Sequence, residues 1–597
     1  MAIVPLEKIT VYGPSTRKDH VLDGLQELGC LHLVPLTDTD GAPEPTRSTS
    51  LERAREAVRY LTACGSLRRP SRRHEEYSSR RVTREVLEVA HRAEELSDQR
   101  DELIAAIEAL EPWGDFRLPK GGAIDGLRFW FYTLPLYRLE DFDASPHVWK
   151  LAARDHRTAY IVVLAAEEPK DIPATRVELD PRPRTELLDR LEEIEEEIDH
   201  LHWERVNLTR WRERLAHDLA EAENRDARRD AARATLVAGE VFALQGWAPA
   251  EVAEDLEAFA AREGIAVTLE KPSPEEEPPT LLRNPERIAG AEGAVTFYIT
   301  PNYRTWDPTP VVYFSFAIFF AMIFSDAGYA FLLGGVLLAL WRRLSKSSAG
   351  LQARNFLTTI VMFALVWGIL VGSYFGLTPP ESSLIGKLKV LDLGDQGAMM
   401  MLSILIGIAH LVLANAITAW RKRGSLACLG PIGWILGLVG GFLLGAAIQG
   451  PASDSVGSAG TVMLISAGAL ILLFTSERPV TSARDWVGRM VDGLKALTDV
   501  SKAFGDVLSY LRLFALGLAS AQLAVTFNNL AGDAAAIPGA GMLLAIVIVV
   551  AGHAVNFLLA TMSGVVHGLR LNCIEFFNWS LQDEGQPFRP FARKAGS

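Results

Sequence analysis

Cysteine is scarce in this chain: Cys30, Cys64, Cys428 and Cys573 are all it has. They are scattered, with no pair at metal-ligand spacing, so neither a disulfide framework nor a metal site is expected. A G-x-x-x-x-G-K-[ST] phosphate loop is missing, and no Ser/His/Asp set stands at a catalytic spacing. The chain is therefore not expected to hydrolyse ATP by itself, nor to carry a cofactor. The first 30 residues hold Glu7, Lys8, Arg17 and Asp19 and lack the apolar core of a signal peptide. The N-terminus is accordingly expected in the cytosol. Positive charge is also short, with a net charge of −13, and an acidic arm excludes nucleic acid as the natural partner.

The second half lacks charge of either sign. Residues 1–300 carry 40 Lys/Arg and 58 Asp/Glu, a balance of −18, whereas residues 301–597 carry 20 and 15, a balance of +5. At 597 residues the chain is too long for one ordinary domain. It divides into a charged soluble arm and an apolar half suited to a bilayer.

In the arm, Ile9–Val11, Val21–Leu28 and Leu31–Val34 read as strand, helix, strand. Residues 237–270 repeat that pattern, with Gln245-Gly246-Trp247-Ala248-Pro249 as the turn. Together, 1–50 and 233–275 form an expected membrane-proximal α/β domain. Two helical stretches, 51–112 and 183–232, carry apolar residues at heptad spacing, such as Val86, Val89, Leu96, Leu103 and Leu187, Ile194, Leu201. They predict an antiparallel coiled-coil hairpin or, alternatively, two long helices of a compact bundle. The second helix, about 45 residues, spans roughly 65–70 Å. Enclosed residues 113–182, with strands at Leu127–Tyr132 and Ala159–Val163, form a distal α/β domain. The Pro- and Glu-rich stretch 276–310 reads as a linker.

The apolar half, 311–580, yields about eight spans, near 311–325, 327–341, 355–377, 398–420, 427–449, 459–475, 500–531 and 541–580, before a tail at 581–597. Alternate loops hold Arg342, Arg343, Lys346 and Arg354, then Arg421, Lys422 and Arg423, then Arg478, Arg484, Arg489 and Lys495. The opposite loops are acidic, so both termini are expected on the cytoplasmic side. The last two helices exceed the ~20 residues of a simple crossing and are expected to tilt or to emerge into water.

Arg512, inside the seventh span, costs about 2.5–3.5 kcal/mol on insertion scales, so it must face a carboxylate, a cavity or the protein interior. Ala515 and Ala519 near its face let another helix pass close. On the eighth span Asn556, Ser563 and Arg570 share one face at a spacing of seven, with His567 beside them. The stripe lines half of a water path, or the amides and hydroxyls only pack while Arg570 snorkels. Asp326 stands where the first two spans break, as an ion-access group or a helix N-cap. Glu575 is either a proton group or an interfacial carboxylate. His410 and His553 are lone intramembrane histidines, more commonly hydrogen-bonded within a bundle.

With these residues in view, the chain resembles the stator membrane subunit of V/A-type rotary ATPases, subunit I of prokaryotes and subunit a of eukaryotes. The resemblance runs almost end to end. Its most specific parts are Ser509-Tyr510-Leu511-Arg512-Leu513 with Ala519-Ser520-Ala521-Gln522-Leu523, and His567-Gly568-Leu569-Arg570-Leu571 with Glu575. Asp307-Pro308-Thr309, Phe324-Ser325-Asp326-Ala327-Gly328-Tyr329, Glu584-Gly585-Gln586-Pro587-Phe588 and Trp247 support it. The resemblance implies an ion path, taken to carry protons, built from Arg512, Arg570, Glu575, His567, Ser563, Asn556, Gln522 and Asp326. It implies partners as well: a ring of proteolipid c subunits, peripheral stalk subunits of E/G type, a central-stalk subunit of d/C type and the lipid bilayer. The expected place is the plasma (cell inner) membrane. One departure is Ser520, where many relatives have His. Two other readings are weighed against this one. A secondary ion transporter with a cytosolic regulatory arm predicts internal repeats and paired broken helices. A membrane-anchored scaffold explains the hairpin but not Arg512.

Overall fold

The computed structural model describes residues 2–36, 49–70, 77–118, 123–124, 126–139, 148–169, 174–449, 454–476, 478, 483–581 and 583–594. Two compact units divide it. One comprises Met1–Val11 with Gln245–Pro590, the other Tyr12–Leu244 with Phe591–Ser597.

The second unit opens with the end of β1 (Leu6–Pro14), then α1 (Lys18–Leu28), β2 (His32–Val34), α2 (Thr49–Thr62) and α3 (Ser79–Leu110). Val21, Leu22 and Leu25 give α1 one buried face, and Gly29, at φ 64°, ends it in the left-handed conformation that glycine adopts without penalty. A sheet comes next: β3 (Ala123–Ile124), β4 (Leu127–Pro135), β5 (Val148–Arg154), β6 (Thr158–Ala165) and β7 (Thr175–Val177), ordered β3-β4-β6-β5 with β7 on β4. Its registers are antiparallel, with Phe131 opposite Val162. Tyr132, Leu134, Ile161 and Val163 form its core, as alternation along the strands requires. The return helix comes in two pieces, α4 (Arg184–Leu208) and α5 (Arg212–Ala234), with a 3-10 turn at Thr209–Trp211 between them.

Helices α3 and α4–α5 pair antiparallel: Arg117 meets Glu186, Arg92 meets Glu197, and Tyr77 donates to Asp218. The two ion pairs are exposed and worth little. The buried Val86, Leu96, Leu103, Leu187, Ile194, Leu201 and Trp211 supply the cohesion. Then come β8 (Leu236–Ala238) and β9 (Val241–Pro249). The expected turn at Gln245–Pro249 is thus strand. Trp247 and Ala248 are buried in its pleat, and Pro249 ends it because proline cannot donate to the ladder.

In the first unit, α6 (Ala253–Glu263) and β10 (Ala266–Glu270) come next, and the sheet runs β10-β1-β9. The stretch expected as a linker is packed instead. Its helix α7 (Glu292–Tyr298) buries Val295 against Val312, Ala414 and Phe576. The apolar half is α8 (Thr309–Phe324), α9 (Ala327–Leu344), α10 (Ser348–Val371), α11 (Gln396–Arg421), α12 (Leu429–Gln449), α13 (Asp454–Phe474), α14 (Ala483–Thr498), α15 (Val500–Ser509), α16 (Leu511–Ala535) and α17 (Gly541–Arg570), closed by a π-helical turn at Leu571–Phe576 and α18 (Phe577–Ser580). Seven stretches among the described residues are long and apolar enough to cross a membrane, including Arg484–Ala535 and Gly541–Ser580. The first expected span, near 311–325, is α8, whose 16 residues fall short of a crossing. Twelve of them are buried, so α8 is a core pillar rather than a lipid-facing helix.

Candidate functional site

The pillar positions the site. A Cβ on Gly564 of α17 would come within 2.6 Å of the Phe320 ring, and one on Gly517 of α16 within 2.6 Å of the Met322 carbonyl. Glycine at both places lets α8 press against α16 and α17. Those two helices are antiparallel neighbours, since Ser520 meets Asn556 and Asn528 meets His553.

Between α8 and α9 the chain turns at Ser325, whose φ of 44° is rare for a residue with a side chain. Asp326 stabilises the turn. Its Oδ1 accepts from the N–H of Tyr329 at 3.0 Å and of Phe375 at 2.9 Å, and its Oδ2 from the Ser373 hydroxyl at 2.7 Å and the Gly376 N–H at 3.0 Å. It is an N-cap with both oxygens occupied, the second of the two roles open from sequence.

A hydrogen-bond lattice adjoins it. Asn556 donates to the Tyr329 hydroxyl at 3.0 Å and to the Ser520 carbonyl at 2.9 Å, while the Ser520 hydroxyl donates to its Oδ1 at 3.4 Å. Tyr329 Oη lies 2.7 Å from His553 Nδ1, and His553 Nε2 lies 3.0 Å from Asn528 Oδ1. Asn528 donates to the Phe375 carbonyl at 2.8 Å, which leaves its Oδ1 as acceptor. His553 Nε2 is therefore the donor and its Nδ1 accepts from Tyr329. Every link then has one donor and one acceptor, with His553 neutral. Asn556 and Asp326, expected among the ion-path residues, are bound into this packing lattice.

At the other end of the same two helices lies a charged group. The long seventh helix breaks at Tyr510, so Arg512 sits in the first turn of α16, half-buried. The eighth leaves α geometry after Arg570. A π-turn carries one extra residue per turn and re-aims the side chains beyond it. Here it swings Glu575 inward to 2% exposure, 4.0 Å from Arg570 Nε, while Arg570 itself stays 51% exposed. Glu575 also stands within electrostatic reach of Arg512 and beside the Ser509 hydroxyl. Both arginines likewise act on His567. Arg512 Nη1, His567 Nδ1 and Glu575 Oε2 are buried polar atoms without a hydrogen-bond partner among the described residues. Such atoms cost free energy unless something else meets them.

The structure thus brings together Arg512, Arg570, Glu575 and His567 of the predicted set. Gln522 is exposed on α16 and Ser563 half-buried on α17, outside that cluster. Exposed stripes run from the arginines along both helices: Ala515, Ala519 and Gln522 on α16, and Met562, Leu559 and Val555 on α17. Two residues escaped sequence reasoning as a pair. Tyr510 Oη lies 2.8 Å from His410 Nδ1, and the His410 ring stacks on Phe576 at 4.3 Å. The polar Tyr inside an apolar stretch was the available signal. Among the described residues no group of His, Cys, Asp or Glu is arranged to hold a metal ion.

Residues 502–593, which hold the whole charged group, match the model of the V-type ATPase 116kDa subunit family. The chain is 28% identical to "V-type ATP synthase subunit I" of Chlamydia pneumoniae, over 75% of each chain. It is 27% identical to "A-type ATP synthase subunit I" of Methanocaldococcus jannaschii, over 67% of this chain and 63% of that one. With "V-type ATP synthase subunit I 1" of Treponema pallidum it shares 26% identity, over 99% of this chain and 100% of the other. The resemblance read from the arginine motifs is borne out by these relatives.

Proposed function

We propose that this chain, similar to subunit I of V-type and A-type ATP synthases, is the membrane stator subunit of a rotary ATPase or ATP synthase and forms ion half-channels against a rotating ring. One observation carries the reading: two arginines and a buried carboxylate gather where the exposed stripes of two antiparallel apolar helices begin. A stripe of small residues beside Arg512 suits the close passage of another helix. A carboxylate borne by a proteolipid c subunit, arriving beside Arg512, is held ionised by the opposite charge. Leaving Arg512, it must take up an ion before it can enter lipid, since an unpaired charge there is expensive. Arg512 thereby separates uptake from release, and Arg570 adds positive charge to the same end. His567 and Glu575 offer unpartnered polar atoms through which a proton passes between the arginines and water.

In this reading the chain hydrolyses nothing itself. The transported ion is a proton, both termini are cytoplasmic and the membrane is the plasma (cell inner) membrane. The charged arm holds peripheral stalk subunits of E/G type and meets a central-stalk subunit of d/C type, with the paired helices at 51–112 and 183–232 resisting torque.

ATP-driven acidification of inverted membrane vesicles tests this. Arg512→Gln, with assembly verified, is expected to abolish pumping. Full pumping by the assembled variant overturns the assignment of Arg512, and failure of any ATPase subunit to co-purify with the native chain overturns the stator reading.

A further inference from the structure

A cavity of about 540 Å³, open on one side, lies in the apolar half, bounded by α11, α12, α13, the end of α14 and α15. Its wall is mostly apolar, with Met401, Ile404, Trp434, Leu464 and Val507 among the lining residues. The volume falls in the range of ligand pockets.

The glycines show that the space is built. Glycine in a membrane helix usually lets a neighbour approach closely. Gly433, Gly440 and Gly460 do this where α12 meets α13, since an added Cβ would come within 3.0, 2.9 and 2.9 Å of the opposing helix. A second stripe behaves otherwise. Gly441 and Gly445 on α12 and Gly468 on α13 all line the cavity, and a Cβ on any of them would meet nothing within 4 Å. These three keep a channel open rather than a contact tight.

The channel's dimensions and ends name its occupant. Along α12 the lining runs from Trp434 to Ala446, about 18 Å at 1.5 Å per residue. That is close to one leaflet of a hydrocarbon core ~30 Å thick. At one end Trp434 packs edge-on against Trp579 at 4.9 Å, and the Lys502 ammonium lies 5.9 Å from the Trp579 ring. Tryptophan and lysine mark the headgroup level. This is also the end of α12 that comes after Arg421, Lys422 and Arg423, a basic loop suited to an anionic headgroup.

We propose that one acyl chain of an anionic phospholipid, from the leaflet on the side of Arg421–Arg423, occupies this cavity as part of the structure. It fills the wedge between α15 and the α12–α13 pair, and so steadies the helix that leads through Tyr510 to Arg512.

The test uses the full chain reconstituted in vesicles of phosphatidylglycerol, a fraction of which carries a diazirine on the acyl chain. After irradiation, labelled residues are mapped by mass spectrometry. Label is expected in residues 437–446 and 500–508. Gly441→Leu and Gly468→Leu, whose added Cβ atoms meet nothing within 4 Å, place their side chains in the cavity and are expected to reduce that label at least fivefold. Label on the outward Leu558 and Met562 is expected to stay unchanged and serves as the internal standard. Two independent variants guard against a folding failure in one of them. Absence of label from both segments of the native chain overturns the proposal. So does label that persists undiminished in either folded variant.

Discussion

Asp326 was legible in the sequence as a polar residue at a break, and its two candidate roles separate only when its neighbours are counted. Both oxygens are saturated by four donors from α9 and from the segment after α10. Asp326→Ala leaves those donors buried without an acceptor, and the expected loss is about 3 kcal/mol of stability. Asp326→Asn keeps one acceptor oxygen and is expected to lose less. Thermal unfolding of the purified chain checks the order. Equal unfolding temperatures for all three proteins contradict a capping role. Ser520 is the other residue whose meaning shifts. It is not an empty place on α16, because it exchanges hydrogen bonds with Asn556, two links from His553.

Among the elements, the long seventh and eighth helices were readable from length and hydropathy, but their interruptions were not. The break at Tyr510 depends on α11, where Gly407 faces the Tyr510 ring so closely that a Cβ would lie 2.6 Å from it. Gly407→Ala is expected to push the ring aside and part it from His410. Overpacking of this kind costs typically about 1–3 kcal/mol. Tyr510→Phe removes only the hydrogen bond to His410, about 1 kcal/mol. Unfolding temperature and ATP-driven proton uptake, measured on both variants, distinguish the two effects. Gly407→Ala is expected to lower both quantities, Tyr510→Phe chiefly the first. If Gly407→Ala changes neither, the approach of α11 does not hold the break. The π-turn at Leu571–Phe576 had no sequence signal at all, because a one-residue widening of a helix depends on the packing around it rather than on local propensity.

On the scale of the whole chain, charge is distributed by solvent: 98 of its charged residues precede residue 301 and 35 come after. Within the charged unit, some of them also bind the chain end. Glu223 on α5 accepts from Lys594 at 2.8 Å and from Arg55 of α2 at 2.5 Å. Burial pushes its carboxyl up, but the two cations outweigh that and hold it below the ordinary glutamate value. A depressed carboxylate adds stability that is fully present above its unfolded value, ~4.3, and is lost as pH falls through the folded one. Glu223→Gln is therefore expected to unfold at lower temperature than the native chain at pH 7. The difference should shrink below about pH 4, where the native carboxylate is protonated as well. A difference that does not change with pH contradicts the pairing.

Local pattern alone determined the division into arm and membrane half, the strand-helix-strand segments, the paired long helices and the positions of seven spans. Each of those rests on where apolar residues recur along the chain, which is the information a sequence carries directly. The arginines were legible for the same reason, as costly exceptions in an apolar field. Tertiary structure decided the rest. Trp247 is strand rather than turn because its neighbours bury it. Helix α8 is pillar rather than span because α16 and α17 close over it. Glu575 faces Arg570 because a π-turn, stabilised by packing on α11 and α8, rotates it inward. These outcomes depend on contacts between residues far apart in the chain, and no local period encodes them.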